Sequence, residues 1–354
     1  MATRWGIASA GKISHDFATA LATLPASEHR LVAVAARELD RAKDFAGTHG
    51  AARAYASYRE LADDEEVEIV YVGALNPFHL EVGKMMLNAG KHVLCEKPLA
   101  MNLEQCRELI ELARARKLLL MEAIWSRCFP AYESLRAELA KRSIGEVKQV
   151  IASFGFRLAD VDRLGAKRLG GGTVLDLGVY VIQFVCTVFG HERPTEIKAV
   201  GHLNAEGVDA SMSASLTYAN GRTATVVTHA ECELPNDAHV IGTHGSIRLP
   251  QFWCPTRIEL PGGSVEEVPL PAPRHKLNFV NSTGLRYEAM EARECIRRGE
   301  SVATRPPSRD SSAALLLPSA GLLESPKVTH AHSLLIAEIE DELRRQLGVV
   351  YDVD

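Results

Sequence analysis

Short apolar runs alternate with amphipathic stretches over the first third of the chain. Residues 5–8, 31–36, 67–72, 92–95 and 118–121 are apolar and of strand length. Between them, residues 13–24, 40–49, 77–90 and 103–116 carry apolar side chains at helical spacing. This alternation predicts a parallel sheet covered by helices on both faces. The punctuation agrees. Asp40 and Asn102 stand at helix starts, Pro77 opens a helix and Gly90 ends it.

The pattern changes after residue 123. A helix is predicted over 130–141, a long alternating strand over 147–156 and an apolar helix over 171–189. Strands then follow at short spacing over 197–203, 210–218, 223–230, 239–241, 246–249 and 257–260, with Asn220-Gly221 as a hairpin turn. Alternation within them predicts a mostly antiparallel open sheet with one solvated face. Helices over 285–298 and 332–347 are expected to pack back on the body. The fold class is therefore α/β, with a parallel-sheet domain over 1–123 and an α+β domain over 124–354. Residues 300–321, rich in Ser, Pro and Ala without a sustained period, are expected to be a disordered insertion.

Bulk properties narrow the partners. The chain has 354 residues, enough for two domains, and a formal net charge of -5, which disfavours nucleic acid and anionic membranes. No apolar run is expected to span a bilayer, and the strand beginning at Trp5 leaves no room for a signal peptide. Seven cysteines without a Cys-x-x-Cys pair suggest reduced thiols in a cytoplasmic protein and no metal framework.

The candidate chemistry gathers at strand ends. Glu96-Lys97-Pro98 follows the fourth strand, and the proline holds Lys97 extended at the sheet's carboxyl edge, where ligands bind in open α/β sheets. A lysine simply reaching solvent is the alternative. The first turn, from Gly6 to Ser14, is a worn dinucleotide fingerprint in which Ser9, Gly11 and Ser14 occupy the glycine places. After the second strand, Ala36 stands where an acid would meet a ribose, and Arg37 and Arg41 follow. That arrangement suits a 2′-phosphate, hence NADP(H), or else two solvated arginines. Asn76 and His79 follow the third strand, where His79 either meets a ligand or caps a helix. Three glycines, Gly170 to Gly172, precede Asp176 and Tyr180, four apart on one helical face. They form a proton-handling pair, or a helix-end carboxylate beside a core tyrosine. Trp125, Phe154 and Phe279 suit an apolar substrate pocket, or plain core.

These motifs together resemble the Gfo/Idh/MocA oxidoreductases. The likeness runs from Arg4 to about Gly299 and resumes at Leu322, and is closest to a branch with tyrosine, not histidine, at the end of the second motif. Arg4-Trp5-Gly6-Ile7, Cys95-Glu96-Lys97-Pro98 and Met121-Glu122-Ala123-Ile124-Trp125 carry it. The resemblance implies a Rossmann-type first domain that binds NADP(H) through Ser9, Gly11, Lys12, Ile13, Arg37, Arg41, Asn76, His79, Glu96 and Lys97. It implies hydride transfer between NADP and a vicinal diol or sugar, such as a trans-dihydrodiol or D-xylose, or a dicarbonyl. In that reading Tyr180 is the acid/base, Lys97 its partner, drawing the phenol toward phenolate, and Asp176 orients the substrate. A homodimer through the open face of the second sheet is also implied. A sugar oxidoreductase that retains its cofactor and a non-catalytic NADPH sensor are the rival readings. The 300–321 segment has no counterpart in that family and reads as a gene-model artefact.

Overall fold

The computed structural model describes residues 1–158, 160–303 and 324–354. Its first sheet holds β1 (Thr3–Ala8), β2 (His29–Ala35), β3 (Arg53–Tyr55), β4 (Ile69–Val72), β5 (His92–Glu96) and β6 (Leu120–Ala123). Their order is β3-β2-β1-β4-β5-β6 and every pair is parallel. Helices α1 (Lys12–Leu21), α2 (Leu39–His49), α3 (Tyr58–Ala62), α4 (His79–Asn88) and α5 (Leu103–Arg116) connect them. Strand β4, in the middle of the sheet, is buried at every residue, which is why its sequence runs apolar without alternating. Strand order reverses at β1, whose neighbours β2 and β4 leave in opposite directions. The crevice beyond their carboxyl ends is the position such sheets offer a ligand.

Two elements of this half were not predicted. Strand β3 and helix α3 fill the 50–66 interval, and α3 begins at a capping box in which Ser57 and Glu60 satisfy each other's backbone N–H groups. Helix α2 starts at Leu39, so Asp40 lies in its first turn and is not the cap. Asn102 does cap α5, accepting from the Gln105 amide at 3.0 Å.

The second sheet is built from β7 (Val147–Gly155), β8 (Glu196–Leu203), β9 (Asp209–Tyr218), β10 (Arg222–His229), β11 (Asp237–Gly242), β12 (Gly245–Pro250), β13 (Arg257–Glu259) and β14 (Val265–Glu267). The order is β14-β13-β12-β11-β7-β10-β9-β8. All pairs are antiparallel except β7 with β10, which run parallel and bring the 147–155 strand into the sheet's centre. Helix α6 (Pro130–Ala140) precedes this sheet. A short α7 (Asp162–Gly165) and a glycine turn follow β7, and a wide π turn, Val174–Gly178, then leads into α8 (Val179–Phe189).

By length and composition, Lys167–Phe189 is apolar enough to cross a bilayer, contrary to the sequence reading. In the fold it is the central core helix, packed on β7, β10 and β11. Helices α9 (Arg286–Ala303) and α10 (His330–Leu347) close the chain. α10 packs on α5 and α8, and His330 Nε2 donates to the β6 carbonyl of Leu120 at 2.9 Å. Of the expected 300–321 insertion, residues 304–321 lie outside the described ones.

Candidate active site

The carboxyl edge of the first sheet begins with an anion cradle. Ser9, between β1 and α1, has φ 93°, and Gly11 is the N-cap of α1 with no side-chain bond to the helix amides. The first turn of α1 carries no acid. Its N–H groups and the positive end of the helix dipole are left for a phosphate. The crossing is tight, for a Cβ at Gly73, just past β4, would stand 2.3 Å from Ser14 Oγ. Lys12 and Ile13 open the helix behind this loop. Ser9, Ala10, Ala36, Arg37 and Arg41 line one groove, and Arg41 Nη2 reaches the Ala10 carbonyl at 3.3 Å. The groove also contains Glu38, which the sequence reading passed over. These residues fit a dinucleotide.

The Lys97 turn is held from behind. Glu96 Oε1 accepts from Tyr71 Oη, whose ring stacks on Phe17, and Glu96 Oε2 accepts from the Lys97 amide at 3.3 Å. Leu99 N donates at 2.9 Å to Oε1 of Glu122, a residue only 3% exposed. The Lys97–Pro98 peptide bond is cis.

The other half of the site hangs on Asp209. Its Oδ2 accepts from Thr173 Oγ1 and from Val174 N, both at 2.7 Å, fixing the start of the π turn. Gly172, with φ 114°, fits because a Cβ there would meet Asp209 Oδ1 at 2.4 Å. The π turn aims Asp176 at the first sheet, and such wide turns recur at functional sites. Lys97 Nζ donates to the Asp176 carbonyl at 2.8 Å and to its Oδ1 at 3.2 Å, and Arg163 Nη1 donates to the same Oδ1 at 2.5 Å. Arg163 and Lys97 together hold the Asp176 carboxyl far below the usual range despite its burial, so it is an ionised acceptor. Lys97 Nζ also lies over the Tyr180 ring, 4.8 Å from its centre. Trp125 Nε1 donates to Tyr180 Oη at 2.7 Å, and Phe154 meets the Tyr180 ring edge-on at 5.3 Å.

Lys97, Asp176, Tyr180, Trp125 and Phe154 thus converge. Phe279 stands apart on a loop pinned to α1, its amide donating to Asp16 Oδ2 at 2.9 Å, and 38% of it is exposed. Asp16, not anticipated from sequence, also accepts from Ser282 Oγ and from the Asn278 amide. Four further expectations need correction. His79 does not face a ligand. It is fully buried, with Nδ1 2.7 Å from the Pro98 carbonyl and Nε2 3.0 Å from that of Ala74. Glu96 supports Lys97 from inside, and the Asn76 amide is spent on the Gly170 carbonyl at 3.1 Å. Nor is Tyr180 drawn toward phenolate. Burial, and next the Glu96 carboxylate, push its pKa well above 10, and the Lys97 ammonium is given to Asp176. The site therefore holds a neutral phenol whose oxygen already accepts from Trp125, which leaves its proton to be donated into the cleft.

Glu122 yields a stability prediction. Burial raises its carboxyl to about 7. A carboxyl that binds its proton more tightly in the folded state contributes fully below its unfolded pKa, about 4.3, and loses that contribution as the pH rises to 7. Glu122→Gln keeps an acceptor for Leu99 and cannot ionise. It is expected to be more stable than the parent at pH 8, by up to about 3 kcal/mol, with the gap closing toward pH 4.5. Thermal unfolding across that range measures it, and a gap independent of pH would show that Glu122 is not the titrating group.

Comparison with known proteins adds to this geometry. Residues 3–124 match the model of the Gfo/Idh/MocA oxidoreductase family, NAD-binding Rossmann fold, and residues 132–248 match the Gfo/Idh/MocA C-terminal domain. Over its full length the chain is 48% identical to a trans-1,2-dihydrobenzene-1,2-diol dehydrogenase of Danio rerio, covering 99% of that protein. The protein of the same name from Sus scrofa is 43% identical, with 100% of this chain and 99% of that protein covered. Among solved structures, a 3-ketoreductase from Actinomadura kijaniata in complex with NADP superposes at TM-score 0.76 and 26% identity over 98% of both chains. A levoglucosan dehydrogenase in complex with NADH shares the fold, with TM-score 0.78, 18% identity and 98% of both chains covered.

Proposed function

Since the chain belongs to the Gfo/Idh/MocA oxidoreductase family, we propose that it is an NADP(H)-dependent oxidoreductase that takes one hydride from a vicinal diol or sugar, a trans-dihydrodiol or D-xylose, or in the alternative gives one hydride to a dicarbonyl to form the hydroxyketone. The observation that carries this reading is the meeting of Lys97, Asp176 and Tyr180 at the carboxyl edge of a dinucleotide-type sheet. The bound nicotinamide supplies or takes the hydride.

The chain's own residues handle the oxygen and its proton. Tyr180, a neutral phenol steadied by Trp125, gives its proton to the carbonyl oxygen during reduction and takes it back during oxidation. Trp125's N–H eases the donation, because a donor to the phenol oxygen favours the ionised form that donation leaves. Lys97 and Arg163, both bound to Asp176, set two cations beside the reacting oxygen and favour it as it becomes more negative. Asp176 Oδ2, which takes no hydrogen bond among the described residues, accepts from a substrate hydroxyl. Phe154, Phe156 and Trp253 wall the site with apolar rings.

Arg37 and Arg41 hold the 2′-phosphate, and Ser9 and Gly11 the pyrophosphate. The protein is further proposed to be a cytoplasmic homodimer. Its seven cysteines are free thiols, and the outer face of the second sheet leaves Ile151 and Val200 exposed to pair with a second copy, which sedimentation at micromolar concentration measures.

A panel of trans-dihydrodiols, pentoses and dicarbonyls, run with NADP⁺ or NADPH and read by NADPH absorbance, tests the activity. Turnover of at least one class is expected, and inertness toward all of them would leave a cofactor-binding sensor.

A further inference from the structure

We infer that Arg163 is the specificity-determining residue of this site, binding the second oxygen of a vicinal pair while the first sits at Tyr180 and Lys97. The inference rests on the function proposed above and adds to it a reason why substrates carrying adjacent oxygens are preferred.

Arg163 lies on α7, just before the glycine turn, in a stretch without apolar periodicity. Its Nη1 is 2.5 Å from Asp176 Oδ1, the oxygen that also takes Lys97 Nζ at 3.2 Å. The two cationic nitrogens are therefore no further apart than those two distances laid end to end. Donors within that span can each make an ordinary hydrogen bond to one of two neighbouring hydroxyl or carbonyl oxygens. The place between the two donors is already taken by Asp176 Oδ1, so a lone oxygen seated at Tyr180 and Lys97 leaves the outer Arg163 donors unpaired, whereas a neighbouring second oxygen meets them.

Exposure separates the two cations. The Lys97 and Asp176 side chains are 12% and 8% exposed, whereas that of Arg163 is 38% exposed. Arg163 is thus the member of the cluster that still faces the approach to the site. A guanidinium has five N–H donors in a planar fork, and the bond to Asp176 uses one of them. The remaining donors are pre-set in direction by that bond, because Asp176 is itself fixed by the π turn and by Lys97. Asp176 completes the recognition by accepting a hydrogen bond from a hydroxyl, so a diol meets an acceptor and two donors. A purely electrostatic partner for Asp176 would need the charge but not the fork.

The test compares trans-cyclohexane-1,2-diol with cyclohexanol, which has the same ring and one oxygen fewer. Binding is titrated on the protein saturated with NADPH, a combination that cannot turn over, using the fluorescence of Trp125 and Trp253, both part of this cluster. The parent is expected to prefer the diol. Arg163→Met should lower that preference about tenfold to a hundredfold, the range for a lost charge-assisted hydrogen bond, and Arg163→Lys should fall between. If both ligands weaken by the same factor, or if the parent shows no preference, Arg163 only neutralises Asp176 and the inference is overturned. A parent that prefers the diol but oxidises nothing would fail the proposed activity and leave the role of Arg163 standing. Should Arg163→Met not fold, the Arg163→Lys titration decides alone.

Discussion

Tyr180→Phe is expected to lower kcat by about a thousandfold while the Kd for NADPH stays within a few-fold of the parent. The loss is that of a positioned proton donor, typically 10²–10⁴ in rate. The isosteric ring keeps its edge contact with Phe154 and its place under Lys97, so the packing is retained. Only the acceptor for the Trp125 N–H disappears. Because burial keeps the phenol protonated far above its ordinary range, reduction of a dicarbonyl should show no alkaline loss attributable to Tyr180 between pH 6 and 9. Lys97→Met should also cut kcat strongly, by about a hundredfold, for a different reason. It removes a cation that faces the reacting oxygen, and it leaves Asp176 with Arg163 as its one charged partner. Steady-state kinetics beside an NADPH fluorescence titration separate these effects from cofactor binding. Undiminished turnover in either variant would remove that residue from the chemistry.

Much of this architecture was legible because it is local. The five apolar runs of the first half gave five of the six strands, and the Lys97, Ser9 and Trp125 positions followed from lying just past strand ends. The third strand, three residues long, was too short for any period to register. The capping box at Ser57 and Glu60 was readable and was missed, since no apolar run follows it. Pairing was harder. Nothing in residues 147–155 or 222–229 says that these two strands run parallel, because that depends on which strands come between them. Site chemistry divided the same way. Spacing placed Asp176 and Tyr180 on one helical face, whereas Asp176 stands in the π turn that precedes α8, and their meeting with Lys97 joins residues about eighty positions apart and was implied only by family resemblance. Arg163, Asp16 and Asp209 left no signal, for an isolated charged residue in a helix or at a strand end looks solvated until its partners are known. His79 failed in the opposite sense. Its position at the sheet edge is right for a ligand, yet two nearby carbonyls claim its ring. The charge on Tyr180 depended on burial and on Glu96, neither of which spacing reveals.

The cofactor assignment carries the second large effect. Replacing both Arg37 and Arg41 by Ala should raise the Kd for NADPH by about 10²–10³ and leave that for NADH within a few-fold. Each charge-assisted hydrogen bond to a phosphate is worth roughly 1.5–3 kcal/mol, and exposure places these two toward the lower end. Both side chains stand at the surface, so affinity for NADPH in the parent should weaken with added salt, and that salt dependence should flatten in the double variant. The arginines sit in the groove that also holds Ser9 and Ala36, with Ala36 in the place an acid would take just past β2 and with two guanidinium groups against the one carboxylate of Glu38. Glu38 is the nearby acid, and in the double variant its carboxylate is left to accept from a free 2′-hydroxyl, which is why NADH binding should survive. Glu38→Gln on the parent background should therefore leave NADPH nearly untouched and weaken NADH. Equal losses for the two cofactors in the arginine variant would place the 2′-phosphate elsewhere and return both side chains to solvent.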